Sequence, residues 1–550
     1  MSEVATGLFS GVEISRGEVV IGLVGAIGTR LQDVEVRLMR ALMGVGYSTE
    51  TVRVSALIAE ATQARASDLP ENPTTELDGL MDRGDFLRER IGHGGAAAAL
   101  AVTEIAAQRN GDRSGDDRAS ERVGVATIIR QLKHPEEVRL LRSVYGPRFI
   151  LVGAWSPVSE RRKAMLEFLR EREPGHNDGW YNDNADQLIN RDEKDSAKKL
   201  GQRVRHTFEL ADAFVALLPG QDTDQQISRI VDLLFGSPFV TPTQDEIAMA
   251  HASAASLRSS DAGRQVGAVV MDAQGEVLVT GVNEVPKPGG GQYWPGDTPD
   301  HRDFQSGYDV NERLKLVLIT DILAKLREDG SWLSPECESE DLGQLAHRAI
   351  FNGPLSDSRV GDLLEFGRVA HAEMAAICTA ARRGTPIGGQ TMYSTTYPCH
   401  ECARLIIACG IRRVVYIDPY PKSQVPEMYR HQVTEGSSGV ACGSGTVVFE
   451  PFRGIAPRLY RSVFAMADRG REEMTGQYAQ WNASTAPPRL VADAEAIPPL
   501  QEMEDSVINR MREAMIREGF IADPTDEEVT QEAKEAAESH SDAPPRGGDR

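Results

Sequence analysis

Cysteine, long apolar runs and positive charge are all scarce in this 550-residue sequence, and each scarcity excludes a class of protein. Cysteine occurs six times, with one close pair at Cys399 and Cys402, which excludes a disulfide scaffold and favours a reducing compartment. No apolar run approaches the roughly 20 residues that span a bilayer. No basic region followed by an apolar one opens the chain, so we expect no secretory signal. The sequence therefore predicts a soluble cytoplasmic protein that contacts no membrane.

The charge balance limits the partners of the protein. Sixty lysines and arginines stand against 82 aspartates and glutamates, which gives a formal net charge of −22. A strongly acidic protein repels a phosphate backbone, so we expect no broad binding to duplex nucleic acid. A local cluster of basic side chains can still bind a single nucleotide.

The order of apolar segments predicts the fold class. Strand-like runs alternate with amphipathic stretches from Gly17 to Gly236, which predicts an α/β domain with a parallel sheet covered by helices. Those runs are "VVIGLVG" (19–25), "VGVATII" (123–129), "RFILVGA" (148–154) and "DAFVALL" (212–218). A second unit follows with a helix over 243–257 and the hairpin-like "QVGAVVMDAQGEVLVTGVN".

The chain is too long for one ordinary core, and composition shifts suggest its divisions. "GSPFVTPTQDE" is the predicted linker, and the end of the chain is polar and acidic, with an amphipathic helix near 500–519 before a tail that we expect to be disordered. The predicted parts are an N-terminal segment (1–17), a first domain (18–236), a second domain (237–477) with a Gly- and Pro-rich, then helical, insertion (288–367), and a C-terminal part (478–550).

Four residues in two short motifs carry the chemistry. "VAHAEMAAICTAARRG" places His371 and Glu373 at the start of a predicted helix, and "TYPCHECARLI" places Cys399 and Cys402 at the start of another. One imidazole and two thiolates fill three corners of a zinc tetrahedron and leave the fourth open, as catalytic zinc sites do. Zinc lowers the pKa of bound water to about 7. Glu373, two residues from the histidine, can then act on that water without being a ligand.

Two other interpretations of the cysteine pair remain. A thioredoxin-like redox pair also has the Cys-x-x-Cys spacing, but it leaves His371 and Glu373 without a role. A structural zinc ribbon requires four closed ligands, and the remaining cysteines form no second Cys-x-x-Cys pair. The catalytic interpretation is the one that uses all four residues.

The pattern His-x-Glu followed by Pro-Cys-x-x-Cys resembles that of the zinc nucleobase deaminases. This resemblance implies a cytidine-deaminase-like three-layer α/β/α domain, one zinc ion held by His371, Cys399 and Cys402, and Glu373 as the group that transfers protons. It also implies attack at C4 of cytosine and release of ammonia. In deoxycytidylate deaminases the asparagine after the second hairpin strand, here Asn283, contacts the sugar.

The order of the two units most resembles the anti-phage deoxycytidine triphosphate (dCTP) deaminases, in which a P-loop-like domain precedes the deaminase domain. The stretches "NEVPKPGGGQYW", "FEPFRGIAPRLY" and "RQLKHPEEVRLLR" are similar to that group. The resemblance implies free deoxycytidine nucleotides as substrates and depletion of dCTP as a defence against phage. It further implies a homo-oligomer, with a hexamer as the family precedent, a nucleotide effector (dTTP or dCTP) and a small inhibitory RNA.

The Gly-rich segment after Asn283 is the predicted place for the substrate phosphates. The backbone amides of three consecutive glycines can approach phosphate oxygens closely. Lys287 and Arg302 flank this segment, and we expect them to add positive charge at the phosphates.

The loop "GLVGAIGTRLQ" lies where a strand meets a helix, as a phosphate-binding loop does, which makes Gly25, Gly28 and Thr29 candidate nucleotide contacts. Aligned on the glycines, however, Leu31 stands where a P-loop has lysine, and Gln32 replaces its serine or threonine. A tight Gly-rich turn that binds nothing explains the loop equally well. We expect this domain to bind or regulate rather than to transfer phosphate.

Two further functions stay open at this level. One is deamination of cytosine or adenine in nucleic acid, which the acidic charge disfavours. The other is a non-catalytic protein that senses nucleotides and holds a structural zinc. Ammonia release from free nucleotides, compared with a single-stranded oligonucleotide, separates the three.

Overall fold

The computed structural model describes residues 16–522, except 71–72, 112–121, 195–199, 357, 359, 361–362, 364–365, 420–422, 437–444, 467–469, 472–473, 479 and 493–499. The acidic tail predicted to be disordered and most of the N-terminal segment lie outside the described residues. No helix in the described ranges is long and apolar enough to cross a membrane.

The described helices and strands alternate along much of the chain. In chain order they are β1 (Val19–Val24), α1 (Leu31–Gly44), β2 (Ser48–Arg53), α2 (Val54–Ala61), α3 (Glu76–Ile91), α4 (Ala96–Gly111), β3 (Val125–Arg130), α5 (Pro135–Tyr145), β4 (Phe149–Trp155), α6 (Val158–Arg172), α7 (Asp178–Lys194), α8 (Val204–Phe208), β5 (Ala213–Ala216), α9 (Thr223–Leu234), α10 (Gln244–Ser256), β6 (Gly267–Met271), β7 (Val277–Val282), α11 (Asp303–Ser306), α12 (Val310–Asp329), α13 (Pro335–Ser339), α14 (Leu342–Phe351), α15 (Ala372–Arg383), β8 (Thr391–Thr396), α16 (His400–Ala408), β9 (Arg413–Asp418), α17 (Val425–Met428), β10 (Val433–Glu435), β11 (Val447–Pro451), β12 (Gly454–Ile455), α18 (Pro457–Phe464), α19 (Arg489–Ala492) and α20 (Leu500–Arg517).

The chain divides into two compact units, each made of separate chain segments. Unit 1 comprises Met1–Leu151, Arg162–Leu210 and Ser484–Arg550, and unit 2 comprises Val152–Arg161 and Ala211–Ala483. The domain boundaries proposed from composition remain predictions.

Unit 1 is built on parallel strands, as the alternation of strands and helices predicts. Strand β3 lies between β1 and β2 and pairs in parallel with both. All six residues of β1 are buried, which matches its continuous apolar sequence. The α/β class of this unit is therefore confirmed.

Buried ion pairs attach the C-terminal helix to unit 1. Arg109 of α4 contacts Glu18 at 2.8 Å and also pairs with Glu504 of α20, and all three side chains are almost fully buried. Removing one partner of such a pair leaves a buried charge uncompensated, which typically costs about 3–5 kcal/mol. Helix α20 is therefore an integral part of the unit that begins with β1.

The main sheet of unit 2 carries the predicted hairpin. Its described strands have the order β10-β11-β9-β8-β6-β7. Strand β6 is antiparallel to β7, as the hairpin predicts. Strand β6 is also antiparallel to β8. The pairings of β8 with β9, β9 with β11 and β11 with β10 are parallel. The same unit holds two further strand pairings. Strand β5 is parallel to Val152–Trp155 of β4 and antiparallel to β12.

Two glycines let helices lie directly on this sheet. A Cβ atom on Gly267 would come within 1.9 Å of the Ala252 carbonyl oxygen of α10, and one on Gly281 within 2.0 Å of the Ala372 carbonyl oxygen of α15. Gly281 is paired with Ala268, the residue after Gly267, so the two glycines face opposite sides of the hairpin. Helices α10 and α15 thus cover opposite faces, and the predicted three-layer α/β/α arrangement is confirmed.

The insertion forms a small helical subdomain within unit 2. Its apolar core contains Ile319 and Leu323 of α12 and Leu345 and Ala346 of α14. The mostly helical character expected for this stretch is confirmed.

Replacing Gly281 with alanine should destabilise unit 2 and weaken metal binding. The new methyl group meets the backbone of α15, which can yield only by moving the whole helix, so we expect a loss of about 3 kcal/mol or more, the upper end for overpacking. Gly388→Ala is the matched control, because its Cβ would meet only the Cys409 carbonyl oxygen at 3.6 Å. Chemical denaturation measures the free energy of unfolding of both variants, and elemental analysis measures the metal that each one retains. Equal stability of the two variants would contradict the close-approach argument.

Candidate functional site

Two helix N-termini in unit 2 bring the motif residues together. His371 is the N-cap of α15 and Cys399 is the N-cap of α16, while Cys402 lies in the first turn of α16. Both N-caps have extended backbone angles, with φ near −65°. Strand β8 connects the two helices, so their first turns meet at one edge of the sheet. The positive ends of both helices favour thiolate and carboxylate groups there.

The three predicted ligands converge on a single point. The Nδ1 atom of His371 lies 3.3 Å from the Cys399 sulfur and 3.5 Å from the Cys402 sulfur. All three ligand atoms lie within 4.8 Å of one another. Zinc bonds of about 2.0–2.3 Å in a tetrahedron place neighbouring ligands roughly 3.3–3.8 Å apart. The residues present therefore fit a zinc ion, with a fourth corner that these three side chains do not fill.

Glu373 lies beside this cluster without being part of it. Its carboxyl accepts a hydrogen bond from the Ser394 hydroxyl at 2.8 Å, and its other oxygen lies 3.4 Å from the Cys402 sulfur. The side chain is only 4% exposed. Burial raises the pKa of Glu373 above its ordinary value.

The candidate ligands shift one another's pKa values. The hydrogen bond from Cys402, followed by that from His371, lowers the pKa of Cys399 to about 4. The hydrogen bond with Cys399 raises the pKa of His371 to about 9. Within the cysteine pair the negative charge is therefore favoured at Cys399, while the pKa of the Cys402 thiol is raised by its hydrogen bond with Cys399.

A cavity of about 420 Å³ opens at this cluster. His371, Glu373 and Cys399 line it, together with Asn283 and Tyr397. The Asn283 amide is held by two hydrogen bonds of 2.7 Å, one accepted from the Val266 N–H and one donated to the Arg264 carbonyl. An asparagine can make four hydrogen bonds, so the fixed amide retains one donor and one acceptor for a ligand. The structure thus brings Asn283 to the candidate metal centre.

Lys287 and Arg302 are placed differently. Neither belongs to the described residues that line this cavity. Lys287 pairs with Asp297 at 2.6 Å, and Arg302 pairs with Asp300 at 2.7 Å. Their proposed contact with substrate phosphates stays a prediction.

Two arginines, Arg264 and Arg368, do line the cavity. Arg264 pairs with the buried carboxylate of Asp418. Arg368 donates to Asp303 at 3.0 Å and to the His301 carbonyl oxygen at 2.9 Å. The signal in the sequence that points to Arg368 is its position three residues before His371. Asp303, at the start of α11, belongs to the insertion, so the insertion forms part of the cavity wall.

The remaining sequence-predicted residues lie in unit 1, in the loop between β1 and α1. Gly28 adopts a φ of +80°, which a left-handed turn requires. The Thr29 N–H closes that turn by donating to the Ala26 carbonyl at 3.0 Å. Gly25 directly follows β1. Nucleotide binding by these three residues stays a prediction.

Comparison with known proteins matches the segment that holds the site. Residues 242–418 match the family model described as "Cytidine and deoxycytidylate deaminase zinc-binding region". The chain is similar to the "Deoxycytidylate deaminase" of Enterobacteria phage T2, with 48% identity over 54 residues, 10% of this chain and 29% of the relative. It is also similar to the "Probable deoxycytidylate deaminase" of Drosophila melanogaster, with 25% identity over 173 residues, 32% of this chain and 58% of the relative.

The matches to the phage relatives therefore span less than a third of those proteins' length. Among solved structures, a "dCMP deaminase from the cyanophage S-TIM5 in complex with dCMP and dUMP" aligns with 18% identity and a TM-score of 0.21, over 38% of this chain and 98% of that one. The matched family model describes a zinc-binding region of deaminases, which agrees with the three candidate ligands described above.

Cys402→Ala should abolish stoichiometric zinc binding, because two ligands do not hold zinc firmly in water. We expect about one zinc per chain in the wild-type protein and nearly none in the variant, measured by elemental analysis after dialysis against a weak chelator. Cys409→Ala is the matched control, since this cysteine is the C-cap at the opposite end of the same helix and its thiol donates to the Ile406 carbonyl oxygen. Undiminished zinc in Cys402→Ala would refute the assignment.

Proposed function

We propose that the protein is a zinc-dependent hydrolase that deaminates free deoxycytidine nucleotides, both dCTP and dCMP, to deoxyuridine nucleotides. The observation that carries the proposal is the buried Glu373 carboxyl beside His371, Cys399 and Cys402, at the wall of a cavity large enough for a ligand. The match of residues 242–418 to a deaminase family model supports the same reaction.

The arrangement assigns a task to each group. Zinc held by the three ligands would lower the pKa of a bound water to about 7. Glu373 accepts a proton as water adds to C4 of the cytosine and passes it to N3. It then transfers the second water proton to the 4-amino group, which leaves as ammonia, so that water enters and ammonia departs. The Ser394 hydroxyl holds the carboxyl in one orientation throughout.

The charges around the cavity favour a single nucleotide over a polymer. Asp261, Asp303, Asp309 and Glu312 line the cavity, and the whole chain is strongly acidic. A long polyanion is repelled by such a surface more than one nucleotide is. This supports a free nucleotide as substrate, and it also means that a triphosphate needs a positive partner within the cavity.

Arg368 is the cation best placed for that role. An arginine carries five N–H donors, and two of them serve Asp303 and the His301 carbonyl oxygen. Its side chain is 35% exposed, so further donors can reach a ligand. Arg264 is less suited, because its guanidinium neutralises the buried Asp418. We therefore propose that Arg368 contacts a substrate phosphate.

The biological setting follows from the family resemblance alone. We propose that the activity lowers the dCTP pool during phage infection in the cytoplasm. A homo-oligomer, control by dTTP or dCTP, and a small inhibitory RNA remain predictions of that resemblance, as does a P-loop-like ancestry for the N-terminal domain.

The wild-type enzyme should release ammonia from dCTP and dCMP, and much more slowly from deoxycytidine or a single-stranded oligonucleotide. Glu373→Gln should keep its zinc, because the carboxyl is not a ligand, and should lose at least roughly 10²-fold in rate, because every proton step depends on it. Glu427→Gln, an exposed carboxyl on α17, serves as the control. Faster turnover of the oligonucleotide, or near wild-type rates for Glu373→Gln, would reject the proposal.

Arg368→Gln should raise the Michaelis constant for dCMP and dCTP while leaving that for deoxycytidine nearly unchanged. Loss of a charged hydrogen bond worth about 1.5–3 kcal/mol predicts a fall in kcat/KM of roughly 10- to 100-fold for the nucleotides. Lys287→Gln, measured in parallel, tests the assignment made from sequence. A nucleotide-specific defect in Lys287→Gln but not in Arg368→Gln would favour the Gly-rich segment as the phosphate site.

A further inference from the structure

The loop between β1 and α1 in unit 1 uses its own backbone donors. In a phosphate-binding loop, successive N–H groups converge on the ligand. Here the Thr29 N–H donates to the Ala26 carbonyl oxygen at 3.0 Å, and the Leu31 N–H donates to the Thr29 carbonyl oxygen at 2.7 Å. Two donors that a phosphate would require are therefore engaged within the loop.

A third donor of the loop already binds an anion, which is a side chain of the protein. The Ile27 N–H donates to a carboxylate oxygen of Asp192, at the end of α7, over 2.7 Å. The other oxygen of Asp192 lies 2.7 Å from the ammonium of Lys133. Asp192 is only 3% exposed, so this carboxylate is enclosed by the unit. A backbone N–H and a lysine together form the kind of environment that usually holds a phosphate oxygen.

The side chains of the loop leave no second cation for a phosphate. Arg30 extends outwards and pairs with Glu167 at 2.7 Å, with both side chains half exposed. Leu31 occupies the position of the P-loop lysine and is buried in the apolar core. Lys133 pairs with Asp192, which neutralises it.

We propose that Asp192 is an internal anion that takes the place of a phosphate in this loop and closes it to nucleotides. Unit 1 thereby becomes a scaffold in which α7 is attached to the β1–α1 turn. The internal carboxylate has Lys133 as its cation, so it does not need a lysine at the position of Leu31. The proposal is independent of the deaminase chemistry, which resides in unit 2.

The test uses the full-length protein and inorganic phosphate as the probe. Thermal unfolding is compared in phosphate and in chloride at equal ionic strength for the wild type, Asp192→Ala and Asp192→Ser. We expect no phosphate-specific shift in the wild type. Both variants leave the Ile27 N–H and Lys133 without their anion, and phosphate near tenfold its dissociation constant should raise their unfolding midpoint by roughly 2–4 °C. Asp186→Ala, which removes an exposed α7 carboxylate paired with Arg162, should behave like the wild type.

Two results would overturn the proposal. The first is saturable binding of ATP to the wild-type protein that Gly28→Val abolishes, because the loop would then be open despite Asp192. The second is the absence of any phosphate-specific shift in both Asp192→Ala and Asp192→Ser, because each of these changes removes the carboxylate and leaves room for an anion; Asp192→Ser remains decisive if Asp192→Ala fails to fold. Neither outcome depends on whether unit 2 deaminates nucleotides.

Discussion

The contact between helix α15 and strand β7 is the constraint on which the candidate active site depends. At Gly281 the helix backbone lies against the strand with no side chain between them. This contact sets the height of α15 above the sheet, and with it the positions of His371 at the N-cap and Glu373 in the first turn. Helix α16 begins at the same edge of the sheet, directly after β8. The distances of 3.3 and 3.5 Å from His371 Nδ1 to the Cys399 and Cys402 sulfurs therefore depend on both helices being held at the same height above the sheet.

Burial then differentiates groups that are chemically alike. Glu373 and Glu401 both lie in the first turn of a helix near the cluster, but Glu373 is 4% exposed and is held by Ser394, whereas Glu401 faces a surface arginine, Arg404. Desolvation raises the pKa of Glu373 above its ordinary value. The same residue type one helix away is part of a partly exposed ion pair, which contributes little to stability.

The sequence predicted the elements that have a strong local pattern. The hairpin at β6 and β7, the helix–strand–helix order from α15 to α16 and the meeting of the motif residues all follow from periodicity and spacing. Strand β2 was missed because its sequence, "STETVR", is polar and largely unburied, so it lacks an apolar run. The role of Asp192 was invisible for another reason: it contacts Ile27 across 165 positions of the chain, and no local pattern encodes such a pairing.

Under the proposed function, substrate choice depends on residues other than the four that carry the reaction. Three of the motif residues, His371, Glu373 and Cys399, line the cavity, and residues of the insertion, including Asp303 and Asp309, complete its wall. Asp303 both shapes that wall and orients Arg368 through a 3.0 Å contact. A change in the insertion can thus alter which nucleotide enters while the metal ligands stay in place. The insertion, with its own small apolar core around Ile319, supplies part of the wall of this cavity.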